Sequence, residues 1–243
     1  MRKASIRVLA LATLASLAMA SSTNASMILS FGISGPGVKA AVVSGSTTTL
    51  TTNSAVPGFS GAFPVTITTI GNITLPPILS ISAKETFVNV TSTGAATLAN
   101  GTISQPFSGT ISYLDPTTPT INYLTMTFAG VLRGSAGGQT VDLTADNTVA
   151  GQSVSFTSTD PRVIPFLTDP IKNFTIGLTG LSNPLAISGT TISGFTSTNE
   201  SGNVSSFAAG PNIPEPSSVV MASTAILAGL GCFGYRRSRS TSV

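Results

Sequence analysis

Apolar and small polar side chains alternate through the middle of this chain with a period of two. Leu124, Met126 and Phe128 interleave with Thr125 and Thr127, and Phe174, Ile176 and Leu178 with Thr175, Gly177 and Thr179. Val65 and Ile67 interleave with Thr66 and Thr68, Val88 and Val90 with Asn89, and Val154 and Phe156 with Ser155. Successive residues of a strand point to opposite faces, so each such run turns one apolar face inward and one hydroxyl face outward. Turn signals punctuate the runs at Gly35-Pro36-Gly37, Pro76-Pro77, Asp115-Pro116, Gly137-Gly138, Asp160-Pro161 and Asn183-Pro184. Short alternating strands separated by turns predict an all-β fold, either an antiparallel β-sandwich or a related barrel. No stretch before the C-terminal tail reads as a helix.

The two ends of the chain read differently. Arg2, Lys3 and Arg7 precede the apolar run Val8–Leu17, and small residues offer cleavage after Ala20 or after Ala25. That is the layout of a secretory signal peptide over residues 1–25. The exported β-rich domain is expected over 26–195. Residues 196–213, rich in Ser, Asn and Gly, are expected to form a flexible stalk with at most a short strand near Val204–Phe207.

Pro214-Glu215-Pro216 then leads into Ser217–Tyr235, which holds no charged side chain, and on to Arg236, Arg237 and Arg239. A helix of about 20 apolar residues crosses a hydrocarbon core of about 30 Å, and Ser217–Tyr235 just reaches that length. A single C-terminal transmembrane helix is therefore expected, with the arginines held on the cytoplasmic side. This three-part tail over 214–243 resembles the PEP-CTERM protein-sorting signal of exported bacterial proteins. Ile213 stands where that signal more often has Val. The resemblance implies that an exosortase reads Pro214, Glu215 and Pro216. It also implies passage through the inner membrane and delivery to the cell surface or an exopolysaccharide-containing biofilm matrix.

Charge narrows the remaining function classes. The formal net charge is +3, but three cationic residues lie in the leader and three in the tail. The part between them carries Lys39, Lys84, Arg133, Arg162 and Lys172 against Glu85, Asp115, Asp142, Asp146, Asp160, Asp169 and Glu200. That balance is slightly acidic, so no nucleic-acid partner is expected. The chain contains no His and a single Cys; this Cys232 falls within the apolar tail. Ser–His and Cys–His nucleophiles therefore cannot be built, and no internal disulfide can form.

Asp142, Asp146 and Asn147 are the nearest approach to a calcium-binding or carboxylate-pair arrangement, without the spacing of a known calcium loop. Asp142, between Val141 and Leu143, reads as a solvent-facing strand residue. Lys84-Glu85 reads as a solvated bend. Threonines 47–49, 51, 52, 66 and 68 offer hydroxyl faces that suit sugar or ordered water, or simply solvent. Asn-x-Ser/Thr triplets at Asn72, Asn89, Asn100, Asn173, Asn199 and Asn203 carry little weight in a chain of this composition. No enzyme, no cofactor and no metal is expected. The leading expectation is a structural protein of the surface or matrix. A carbohydrate-binding or adhesion module and a carboxylate-based glycosidase are the alternatives.

Overall fold

The computed structural model describes residues 25–34, 38–43, 46–52 and 61–208, within one compact unit spanning Asn24–Ala209. The unit is all-β. Eight strands form a ring in chain order: β1 (Ser26–Ser34), β4 (Phe63–Ile70), β6 (Ile81–Ser92), β8 (Thr102–Leu114), β9 (Asn122–Ser135), β10 (Thr140–Asp146), β12 (Ile171–Thr179) and β16 (Asn199–Phe207). Each pairs antiparallel with the next. The last strand returns to the first, from Ser26↔Ser206 at one end to Ser34↔Asn199 at the other. The ladder closes on itself, which is the barrel form of the expected fold. Closure satisfies backbone groups that would otherwise line an open sheet edge.

Shorter strands decorate this ring. These are β2 (Val38–Val43), β3 (Thr47–Thr52), β5 (Ile73–Thr74), β7 (Thr97–Ala99), β11 (Ser153–Thr157), β13 (Ile187–Ser188), β14 (Thr191–Ile192) and β15 (Phe195–Thr196). β3 joins the end of β6 and carries β2 and β15 beyond it. β11 extends the start of β9.

The alternating sequence explains what fills the ring. Val65, Ile67, Leu124, Met126, Phe128, Val154, Phe156, Phe174, Ile176 and Leu178 are all buried in one continuous core. Val88 departs from its pattern. It is 50% exposed while Val90 is fully buried. The register shifts between Val88 and Thr91, and Asn89 takes a left-handed φ of 52°. The extra residue of a bulge reverses the facing of the residues beyond it. Asn72 and Asn100 also have positive φ, a conformation that asparagine tolerates better than most residues. The Asn-x-Ser/Thr triplets at Asn72, Asn89 and Asn100 thus begin at turn or bulge positions.

Both mouths of the barrel are covered. At the end where β1 starts, residues 158–170 run from β9 to β4. The Ser158 hydroxyl donates to the Tyr123 carbonyl at 2.7 Å. Gly71, at φ 58°, lies so close to the Arg162 carbonyl that an added Cβ would sit 2.1 Å from it. Val163, next to Arg162, is fully buried and joins the core. At the opposite end Leu181, Leu185, Ile192 and Phe195 are buried. Gln105 on β8 fastens that cover, accepting from the Ile192 N–H and donating to the Gly94 carbonyl.

The stalk expected over 196–213 is corrected where it is described. Asn199–Phe207 is a full strand held between β1 and β12. Its buried positions are Glu200, Gly202, Val204 and Ser206, so only one of four carries the apolar signal that alternation relies on. The expected leader lies outside the described residues except Ala25, which is exposed immediately before β1. The PEP-CTERM-like tail lies wholly outside them. Among the described residues no helix is long and apolar enough to cross a membrane.

Gly202 gives the fold a direct test. A Cβ there would meet the Phe31 ring at 2.3 Å, because that ring fills the space the glycine leaves. Gly202→Ala is expected to cost about 1–3 kcal/mol through overpacking. Combining it with Phe31→Leu is expected to cost less than the two single changes added together, a non-additivity that denaturant unfolding measures.

Candidate functional site

Two carboxyl groups meet inside the barrel. Glu85 lies on β6, opposite Phe63 of β4 and Tyr113 of β8. Glu200 lies on β16, opposite Ile33 of β1 and Leu178 of β12. β4 and β1 separate these two strands in the ring, so the carboxyls approach each other through the interior. Glu85 and Tyr113 are 0% exposed and Glu200 is 2% exposed. The Phe31 ring packs against Tyr113 with centroids 4.7 Å apart, forming an aromatic wall beside the acids.

The electrostatics follow from this enclosure. No Lys or Arg is buried among the described residues. Both carboxyls are therefore removed from water without a countercharge, which disfavours the ionised form. Burial pushes Glu85 up to about 7, with the Tyr113 hydroxyl and Glu200 carboxyl pulling it partly back. Burial together with the charge of Glu85 pushes Glu200 well above the usual carboxylate range. Burial and both acids push Tyr113 upward as well. Once either acid ionises, its charge holds the proton on the other. The pair behaves as an acid and a carboxylate that divide one proton between them. Both carboxyl oxygens of each glutamate and the Tyr113 hydroxyl nevertheless lack a hydrogen-bond partner of full geometry.

This site departs from the solvated bend read at Lys84-Glu85. Glu85 falls mid-strand on the same face as Ala83, whereas Lys84 faces outward and is half-buried. A clue was present in the parity, since Glu85 shares its facing with Ala83 and Phe87 while Lys84 and Thr86 share the other. Glu200 offered almost none, because Gly202 and Ser206 on its face carry no apolar signal.

The other sequence candidates lie apart from this pair. Asp142 is an exposed residue of β10, opposite Arg133 and Gly177. Asp146 accepts from the Thr148 N–H and hydroxyl. Asn147 bridges the Pro170 carbonyl and the Lys172 N–H. Asp146 and Asn147 thus serve turn geometry. No group of three or more His, Cys, Asp and Glu side chains suited to a metal forms among the described residues. Thr48 and Thr52 are buried, while Thr51, Thr66 and Thr68 are exposed. Pro214, Glu215, Pro216, Arg236, Arg237, Arg239 and Ala20 lie outside the described residues.

The barrel exterior brings together hydroxyls that are distant in sequence. Thr86, Ser112, Thr125 and Thr157 are successive cross-strand partners over β6, β8, β9 and β11. Beside that row run Thr110, Thr127 and Ser155. The Thr110 and Thr127 hydroxyls are 3.2 Å apart, and Thr125 donates to Ser112 at 3.0 Å. Neighbouring strands stand about 4.8 Å apart, so these rows form a regular outward grid. Comparison with known proteins brings no match, whether to a protein-family description, a curated protein or a solved structure.

The acid pair predicts an unusual pH dependence. The ordinary value for Glu85 is 4.5 and its folded value is about 7, so the folded state binds more protons between those limits. Its contribution is fully present below about 4.5 and is lost as pH rises through about 7; Glu200 extends the loss upward. The unfolding free energy of chelator-treated protein, from urea titrations, is expected to fall from pH about 5 to about 8, by on the order of 3 kcal/mol from Glu85, and the midpoint with it. Glu85→Gln is expected to flatten this profile. Equal wild-type midpoints across that range would exclude an uncompensated pair.

Proposed function

We propose that this protein is a non-catalytic, exported structural component of a bacterial cell surface or exopolysaccharide matrix, sorted there by its C-terminal tail. The enclosure of the interior carries the non-catalytic part of the reading. A glycosidase places its two carboxyls on either side of a bond in an open site, whereas Glu85 and Glu200 are sealed in the core beneath two covers. The exterior, by contrast, offers hydroxyls and few charges, a surface suited to a hydrated polysaccharide environment.

The delivery part rests on the ends of the sequence. Pro214-Glu215-Pro216, the uncharged Ser217–Tyr235 and Arg236, Arg237 and Arg239 support recognition by an exosortase at the inner membrane. The pairing of Ser26 with Ser206 brings the first and last strands out at one end of the barrel. The two ends of the described barrel, Ala25 and Ala208, therefore lie at the same mouth.

A second reading is favoured by the hydroxyl grid on β6, β8, β9 and β11. Rows of Ser and Thr at strand spacing can hydrogen-bond to sugar hydroxyls, making the barrel a carbohydrate-binding or adhesion module. Binding of matrix polysaccharide that is lost in Thr127→Lys and Ser155→Lys, with unchanged melting temperature, would support it. Binding equal to wild type would remove it.

The sorting reading separates recognition from anchoring. Glu215→Ala is expected to leave membrane insertion intact but block tail removal, so that full-length protein accumulates in the membrane. Neutral replacement of Arg236, Arg237 and Arg239 is expected to weaken orientation and retention instead. Fractionation of tagged protein in cells carrying the processing enzyme measures both. Release of Glu215→Ala at the wild-type rate would reduce the tail to a plain anchor. N-terminal sequencing of the exported form is expected to begin after Ala20 or Ala25; an intact Met1 would remove the leader.

A further inference from the structure

Hydrogen bonding inside the barrel is left incomplete. Native proteins partner nearly all their buried polar atoms. Here five oxygens, from Glu85, Glu200 and Tyr113, remain unpartnered in an interior with no buried basic side chain among the described residues. Tyr113 is the independent sign. It is 0% exposed, its hydroxyl faces the acid pair, and no group outside the pair takes it.

We propose that Glu85, Glu200 and Tyr113 form a binding site for one hard divalent cation, calcium or manganese, within the barrel. Three considerations point to that class of ligand. The donors are all oxygen, the preference of hard cations. Two ionised carboxylates carry the charge that a divalent ion neutralises, whereas a monovalent ion would leave one negative charge buried. A shared proton and the Tyr113 hydroxyl answer only part of the set and leave the remaining carboxyl oxygens without a partner. A cation between the side chains draws on all three residues, with water completing its shell.

The scaffold suits the task. β6, β8 and β16 each have ring neighbours on both sides, so their ladders position all three donors. The covers over both mouths imply that the ion enters as the barrel folds. This proposal is independent of how the protein is sorted, although an exported protein would fold where calcium is abundant. Extracellular calcium modules bind at about 10⁻⁴–10⁻³ M.

The test uses the full-length protein, unfolded with chelator and refolded with or without calcium or manganese at mildly alkaline pH. Wild type is expected to gain about 5–10 °C in Tm when calcium exceeds its Kd about a hundredfold. It is also expected to retain one Mn²⁺ per chain by electron paramagnetic resonance. Glu85→Gln and Glu200→Gln should lose both effects, while Asp142→Asn and Asp146→Asn should keep them. Should a glutamine variant fail to refold, Tyr113→Phe decides, with about tenfold weaker Mn²⁺ binding in support and unchanged binding against. Absence of both a wild-type shift and retained manganese would overturn the site and leave a proton-sharing acid pair. Effects that persist in the glutamate variants but vanish in the aspartate variants would move the ion to the outer face and overturn it equally.

Discussion

The pairing of the first strand with the last holds the structure together. β1 and β16 run antiparallel from Ser26↔Ser206 to Ser34↔Asn199, across almost the whole described length of the chain. Without that pairing the ring would be an open twisted sheet with two long edges, each presenting unpaired backbone groups to solvent or to another chain. With it, every ring strand has a neighbour on both sides, and one face of each strand is committed to the interior. Gly202 shows how closely the closing strand fits, since its missing side chain gives the Phe31 ring its place. The closing contact has a high sequence separation, and such topologies fold slowly for the entropy that loop closure costs.

Closure also creates the central electrostatic problem. A sealed interior takes two carboxyls out of bulk solvent, and among the described residues no basic side chain is buried with them. Their strands hold them in reach of each other and of Tyr113, and burial raises all three above their ordinary values. Buried acids without compensation cost stability that an aliphatic pair would not. Retaining them in a ring filled mostly with apolar side chains is the observation that a bound ion would explain. The exterior has no such tension. Its hydroxyl rows are solvated, and alignment across β6, β8, β9 and β11 makes them a surface whose regularity comes from strand spacing.

The reach of alternation set how much was legible. The β-rich character, the strands around Leu124, Phe174, Val65 and Val154, and the turns at Asp115-Pro116 and Asn183-Pro184 all arise from the local pattern. They could be read because a half-buried strand needs apolar residues on one side, and because Gly, Pro, Asn and Asp favour turn backbones. The outward facing of Asp142 is legible for the same reason. The reading of the leader and the tail rests on the linear order of charge and apolarity along the chain.

Tertiary structure alone decided the features that depend on partners distant in sequence. β16 was hidden because Glu200, Gly202 and Ser206 face inward, against the rule that inward means apolar. Val88 and Val90 part company because a bulge at Asn89 inserts a residue that periodicity cannot count. The acid pair combines both difficulties: Glu85 and Glu200 stand 115 residues apart (200 − 85), and each looks like a surface residue until the ring closes. Local composition sets which residues favour a strand. The closing of the ring determines what each face meets, and that long-range geometry buried together two glutamates that look ordinary in the sequence.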